Sequence, residues 1–356
     1  MRALHCGCLP PKRGCAITTP IMFRARFTLS WFASSFLLVA PLAAQETSCL
    51  HRTLTVNVFD SQGHVVRGLD PSDFEAKFRG KPVSVLSITP DSRPHRIAVL
   101  LDISGTVLGQ PDAEEWVTAH SIASHISRTT LENTSLALLL FSDKVNEQID
   151  FAKGAPVVAD RLSQIGKDPS YAKEHLRAKT ALRDAVLAAM QLLGKPGFSD
   201  AIYVVGDGSD NKSRNGFRDV KEAVVSKGVR LYISMLSFGS VAGLSGWSRQ
   251  SEESDPRESS ELAVASGGSV LGRLGVGPFR KERYNLTGKQ RESTEASLNS
   301  LYLGMTRNDL IEIQLPQTVD NWSKWSLELS PQHKKAHKDR FVVYPQELAP
   351  CSALPH

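Results

Sequence analysis

Arg96-Ile97-Ala98-Val99-Leu100-Leu101-Asp102-Ile103-Ser104-Gly105-Thr106 is the stretch that decides the fold. Five apolar residues, Ile97 to Leu101, run without interruption into Asp102. A run of that length closed by a turn signal suits a strand buried on both faces of a parallel sheet. Asp102, Ser104 and Thr106 follow at alternate positions, with Gly105 between the last two. One carboxylate and two hydroxyls on a tight turn make an oxygen-only donor set, and hard oxygen ligands suit Mg²⁺. Open α/β sheets take their ligands outside the carboxyl ends of the strands, where this turn would lie. Alone, the pattern also describes an Asp that ends a strand and caps the next helix.

Downstream the pattern repeats. Ala113–Thr129 carries apolar residues at Trp116, Val117, Ile122, Ala123 and Ile126, which fits an amphipathic helix. Ser135–Phe141, Ala201–Val205 and Val229–Met235 read as further buried strands, and Val145–Phe151 as an edge strand. Ala181–Leu193, Asp219–Ser226 and Ser260–Ala265 read as helices, with Ser269–Leu271 a last short strand. Residues 152–178 are polar and irregular and are expected to form a long loop; 237–259 reads as another loop. Strands alternating with helices predict a doubly wound, mostly parallel sheet.

Upstream and beyond, the pattern is β. Thr53–Phe59 alternates, Asp60-Ser61-Gln62-Gly63 is a turn signal, and Phe74–Phe78 and Pro82–Ile88 alternate again. Ile311–Leu315, Trp325–Leu329 and Arg340–Tyr344 are strand candidates after the α/β region. The economical architecture is an α/β domain, 95–275, inserted in a small β-sandwich. That sandwich would be made by an amino-terminal segment, 45–94, and a carboxyl-terminal segment, 301–356, with 276–300 a linker.

The 356 residues have a sequence pI of about 8.9 and a formal charge of +5. That invites a nucleic-acid reading, which fails because the excess is local. Residues 1–44 hold Arg2, Lys12, Arg13, Arg24 and Arg26 and no acid, so without them the formal charge falls to 0. No basic patch interleaved with aromatics stands elsewhere. Arg24 and Arg26, the apolar stretch Phe27–Ala40 and Pro41-Leu42-Ala43-Ala44 read as a secretory signal peptide cleaved near Ala44, with Met22 as an alternative start. No later segment is long and apolar enough to span a membrane. The chain is therefore expected to be exported, periplasmic or secreted. Cys49 and Cys351 remain near the two ends of the mature chain. In an oxidising compartment they form either a disulfide or two free thiols on frayed tails.

The central region resembles the von Willebrand factor A (VWA) domain over roughly 95–275. Asp102, Ser104 and Thr106 match that family's D-x-S-x-S segment, with Thr in place of the last Ser. Thr180, in Lys179-Thr180-Ala181-Leu182, matches its second segment, and Asp207, in Val204-Val205-Gly206-Asp207-Gly208, its third. Ala265-Ser266-Gly267-Gly268 resembles a late T-G-G of the family. The flanks are similar to VWA-related proteins of acidobacteria, with Val56–Phe74 before the domain and a β segment introduced by Tyr302-Leu303-Gly304 after it.

The resemblance implies a MIDAS-like site for Mg²⁺ or Mn²⁺ on Asp102, Ser104, Thr106, Thr180 and Asp207. Hydroxyls would be direct ligands, and an open coordination position would be filled by the carboxylate of a protein or peptide partner. Asp210 and Asn211, next to Asp207, are candidates to support it from behind. The implied function is a non-enzymatic binding or adhesion role; the alternative is a VWA module used as a metal-independent assembly scaffold. The loops 107–112, 152–178 and 237–258 would set specificity.

A rival lies in haloacid-dehalogenase-type phosphatases. Val99–Thr106 is similar to their D-x-D-G-T segment and Gly206–Asp210 to their last acidic motif, which would put Asp102 as nucleophile and Asp207 and Asp210 on Mg²⁺. Ser104 stands where that chemistry needs an acid to protonate the leaving group, and no lysine fits the required role. Nothing in its segment pairs Ser104 with a histidine, so a hydrolase triad is not supported. His333 and His337 have i, i+4 spacing, but Lys334, Lys335 and Lys338 would repel a cation, so a solvated loop is expected. Trp322 and Trp325 are expected in the core or rim of the β flank.

Overall fold

The computed structural model describes residues 49–105, 114–129, 133–168, 171, 174, 179–236, 256–274 and 288–354. Chain contacts divide the protein into Met1–Ala40 and Pro41–His356, and the description concerns the second unit alone. The expected signal peptide, 1–44, lies outside the described residues. Among those described, no helix is long and apolar enough to cross a membrane.

The quoted run forms β4, His95–Asp102, in the middle of a six-stranded sheet. Its neighbours are β5, Thr134–Phe141, and β7, Asp200–Gly206, both parallel to it. Parallel β8, Arg230–Leu236, and β9, Val270–Leu274, continue one side. Antiparallel β6, Val145–Ile149, closes the other. Side chains alternate across the sheet, as strand geometry requires. Ile97, Val99 and Leu101 pack with α1, Glu114–Arg128, and α2, Gly154–Lys167, while Ala98 and Leu100 join the opposite core. That second core is covered by α3, Leu182–Leu193, α4, Phe217–Val225, and α5, Pro256–Ala265. Both faces are buried, which is why β4 reads as a continuous apolar run. The mostly parallel α/β sheet is as the sequence leads one to expect.

Three expectations need correction. Residues 154–167 are helix α2 rather than part of a loop over 152–178, because Val158, Leu162 and Ile165 fall on one face and are buried. Their i, i+4, i+7 spacing is diluted by Asp160, Arg161 and Gln164, so the polar composition hides it. Residues 276–300 are not wholly a linker, since α6 spans Gly288–Thr306. Leu298, Leu301, Tyr302 and Met305 make its apolar face against β4 and β8. The histidine pair lies not in a solvated loop but on and beside the short helix α7, Pro331–Ala336. His333 Nδ1 sits 3.0 Å from Asp73 Oδ1 and its Nε2 2.9 Å from Arg340, with the His337 ring alongside.

Both flanks enter one seven-stranded sheet of antiparallel pairs, in the order β12-β1-β10-β3-β2-β11-β13. The strands are β1, His51–Phe59; β2, Phe74–Phe78; β3, Lys81–Pro90; β10, Asp309–Gln314; β11, Ser323–Leu329; β12, Phe341–Val343; and β13, Glu347–Leu348. The hydrogen bonding gives a single seven-stranded order for the two flanks, and the expected small β-sandwich is not confirmed by it. Chain ends interleave: β1 pairs with β10 and β12, and β2 with β11. Trp325 is buried in this sheet and donates Nε1–H to the Pro345 carbonyl at 2.6 Å. Cys49 and Cys351 are joined as a disulfide across a sequence separation of 302, with Cα atoms 5.6 Å apart.

Candidate metal centre

Asp102 ends β4, and the parallel register sets Leu101 against Val205, so Asp102 lies beside Gly206 at the end of β7. Glycine is needed there for space. A Cβ on residue 206 would stand 2.8 Å from Asp102 Cβ and 3.0 Å from Oδ2. The chain turns after Asp102: the Ser104 N–H donates to Asp102 Oδ1 at 2.7 Å, and the Ile103 N–H to the Phe141 carbonyl at 2.8 Å. Asp102 and Ser104 are both buried. Asp207 follows Gly206, and its Oδ1 accepts the Ser209 N–H at 2.9 Å across a turn made at Gly208, whose φ is +77°.

Thr180 is buried just ahead of α3. Its position is set from two strand ends. The next residue, Ala181, donates its N–H to the Ser142 carbonyl beyond β5 at 2.7 Å. Beyond β7, Asn211 Oδ1 accepts the Thr180 N–H at 2.9 Å, while the N–H groups of Asn211 and Lys212 both donate to the Thr180 carbonyl at 3.0 Å. Asp102, Ser104, Thr180 and Asp207 therefore all sit at the carboxyl edge of β4, β5 and β7. Thr106 lies outside the described residues, as do 107–112 and 237–255 of the expected rim loops; Glu258 belongs to α5.

Asp210 and Asn211 have distinct tasks. Asn211 holds the Thr180 backbone. Asp210 ties the loop to the start of α3, its Oδ2 accepting the Arg183 N–H at 2.7 Å and the Ser213 hydroxyl at 2.6 Å. Its Oδ1 accepts backbone N–H groups of Lys212 and Ser213 at 3.3 and 3.1 Å. An Asp210 committed to these donors does not suit the metal-ligand role that the phosphatase reading gives it. Gly206 and Ser142 are the positions that sequence reasoning missed. The only signal for Gly206 was its place between a buried strand and an acid.

The electrostatics suit a cation. Burial, and after it the charge of Asp207, push the Asp102 carboxyl well above the ordinary carboxylate range, against the lowering effect of the Ser104 N–H and hydroxyl. Two carboxylates brought together out of water repel each other, and a divalent ion between them would relieve both costs. Among the described residues no three His, Cys, Asp or Glu side chains gather as a metal-holding group. An ion here would rest on two carboxylates plus hydroxyls, a hard-oxygen set that fits Mg²⁺ or Mn²⁺.

Strand order 3-2-1-4-5-6 counted from β4, the antiparallel edge strand, and the order of the three site segments make the α/β unit resemble the VWA domain. No family model and no curated protein matches the chain. Solved structures do match it. BatB, a conserved hypothetical protein from Bacteroides thetaiotaomicron, is 17% identical with a TM-score of 0.38, the match covering 58% of this chain and 98% of that one. A von Willebrand factor type A protein from Catenulispora acidiphila is 9% identical with a TM-score of 0.41, covering 82% and 71%. Proximal thread matrix protein 1 from the mussel byssus, with a zinc-occupied MIDAS motif, is 14% identical with a TM-score of 0.35, covering 43% and 39%.

Proposed function

We propose that the chain is an exported, non-enzymatic binding protein whose α/β unit offers Mg²⁺ or Mn²⁺ to a carboxylate on a protein or peptide partner. The observation that supports this reading is that Asp102 and Asp207 stand at adjoining strand ends, with Asn211, in the loop after β7, holding the Thr180 backbone. When bound, the ion supplies a Lewis-acidic centre for an incoming Asp or Glu. The chain's own residues do the rest. Asp102 and Asp207 supply the negative charge that retains a cation, and the hydroxyls of Ser104, Thr106 and Thr180 are neutral donors that leave that cation electrophilic. The Ser104 N–H fixes the Asp102 carboxylate, and Asn211 fixes the Thr180 backbone, so these two donors are arranged before any ligand arrives.

Water-proton relaxation with Mn²⁺ tests the open position. Mn²⁺ bound to the full chain should enhance relaxation, and added glutamate should lower that enhancement by displacing water from the ion. An enhancement indifferent to glutamate would contradict the carboxylate role. No enhancement at all would favour the metal-independent scaffold.

A further inference from the structure

Asp207 is followed by Gly208 and Ser209, and an Asp in such a turn accepts the backbone N–H two residues on. Here Asp207 Oδ1 accepts the Ser209 N–H at 2.9 Å. That N–H belongs to the peptide joining Gly208 to Ser209. Gly208 stands at φ +77°, and without a side chain it leaves that peptide free to rotate. Turned over, the peptide would present its carbonyl oxygen to the Asp207 carboxylate in place of its N–H, and the oxygens would repel.

The carbonyl of the same peptide is held from another element. The Ser259 hydroxyl donates to the Gly208 carbonyl at 2.7 Å, across 51 positions of sequence. Ser259 lies in the first turn of α5. Leu262 and Ala263, three and four residues on and so on the same face of the helix, are buried in one core with Ile202 and Val204 of β7. The hydroxyl is therefore delivered by a packed helix and not by the loop that it holds. A second contact joins the same turn to the same loop. Arg183 donates to both carboxylate oxygens of Asp210, at 3.2 and 3.4 Å, and stands 3.7 Å from Glu258. Glu258 is half-exposed, so that ion pair adds little.

Two hydrogen bonds thus clamp one peptide at both ends of its dipole, a hydroxyl on its oxygen and a carboxylate on its hydrogen. A bond accepted at the carbonyl also polarises the peptide and strengthens its N–H as a donor. Groups behind a metal ligand that fix its orientation raise the affinity of the site. Resting on the metal reading above, we propose that Ser259 is a positioning residue for the candidate metal centre: its hydroxyl locks the Gly208–Ser209 peptide and, through it, the Asp207 carboxylate. Helix α5 then joins the strand ends of β4, β5 and β7 in setting how tightly a cation is held.

Calorimetric titration of Mg²⁺ and Mn²⁺ into the EDTA-stripped full chain, beside Ser259→Ala and Ser259→Thr, tests this, with amide hydrogen exchange followed at Ser209 in the metal-free protein. Ser259→Ala should bind either ion on the order of tenfold more weakly and exchange the Ser209 N–H faster. Ser259→Thr keeps the hydroxyl and should match the wild type in both. A lower Tm in Ser259→Ala with Ser209 exchange and metal affinity unmoved would make Ser259 a structural residue only and overturn the proposal. A loss in Ser259→Thr as large as that in Ser259→Ala overturns it equally. In each of these cases metal binding by the wild type still stands. Absence of binding in the wild type overturns the metal reading, and the proposal with it.

Discussion

Thr180 and Asn211 hold each other by two hydrogen bonds, the Thr180 N–H to Asn211 Oδ1 at 2.9 Å and the Asn211 N–H to the Thr180 carbonyl at 3.0 Å. The pair couples the turn before α3 to the loop after β7, so the segments carrying Thr180 and Asp207 are positioned together. Asn211→Ala leaves the Thr180 N–H without its acceptor. It should cost about 1–2 kcal/mol in urea unfolding and weaken Mg²⁺ binding on the order of tenfold. Calorimetry beside the unfolding curve separates the two effects; unchanged metal affinity in a destabilised variant would make Asn211 a structural residue only.

Gly206 is a matter of room beside Asp102. Gly206→Ala would bring a methyl group to 2.8 Å from Asp102 Cβ. One of the two central strand ends must shift, at a cost of about 1–3 kcal/mol. The variant should fold, with a lower Tm and weaker metal binding, while Gly197→Ala, where an added Cβ meets nothing within 4 Å, should leave metal binding unchanged.

Asp91 ties the entry to β4 to its surroundings. Arg93 donates to it at 2.7 and 2.9 Å, the Ser199 hydroxyl at 2.9 Å and Asn308 Nδ2 at 3.2 Å. Burial pushes its carboxyl up, but the hydrogen bonds of Arg93 and Ser199 and the Arg93 charge outweigh that and hold it far below the ordinary range. A depressed carboxylate contributes stability that is complete above the unfolded pKa, about 4, and is lost as pH falls toward the folded value. The chain should therefore be less stable at pH 3 than at pH 7. Asp91→Asn should lose about 1–3 kcal/mol at pH 7 and show a smaller difference between the two pH values in urea unfolding.

The Cys49–Cys351 bond spans 302 positions and ties the start of β1 to the chain after β13. The loop-entropy model puts its contribution on the order of 5 kcal/mol, an upper figure. Reduction should lower the urea midpoint without abolishing the α/β core, whose strands are paired independently of it. Equal midpoints for the oxidised and reduced chain would contradict a stabilising role.

Legibility in the sequence followed how local each signal was. Ile97–Leu101 declares a buried parallel strand because all five residues are apolar, and the turn after it carries its own chemistry. Val158, Leu162 and Ile165 were hidden by the polar residues between them. Leu298, Leu301, Tyr302 and Met305 were hidden because the seam of α6 straddles the expected linker and the start of the expected β segment. Thr180 was legible only through a family pattern. That Asn211 holds it depends on two loops meeting beyond the strand ends. Ser259 falls at the end of an expected loop, and its contact with Gly208 exists only once α5 has packed against the sheet.

Calorimetric titration of Mg²⁺ and Mn²⁺ into the EDTA-stripped full chain, beside Asp102→Ala and Thr180→Ala, tests the central claim most directly. The account predicts one saturable site, lost in both variants while circular dichroism shows the fold retained. Metal binding that survives in folded Asp102→Ala, or no binding in the intact chain, would contradict it.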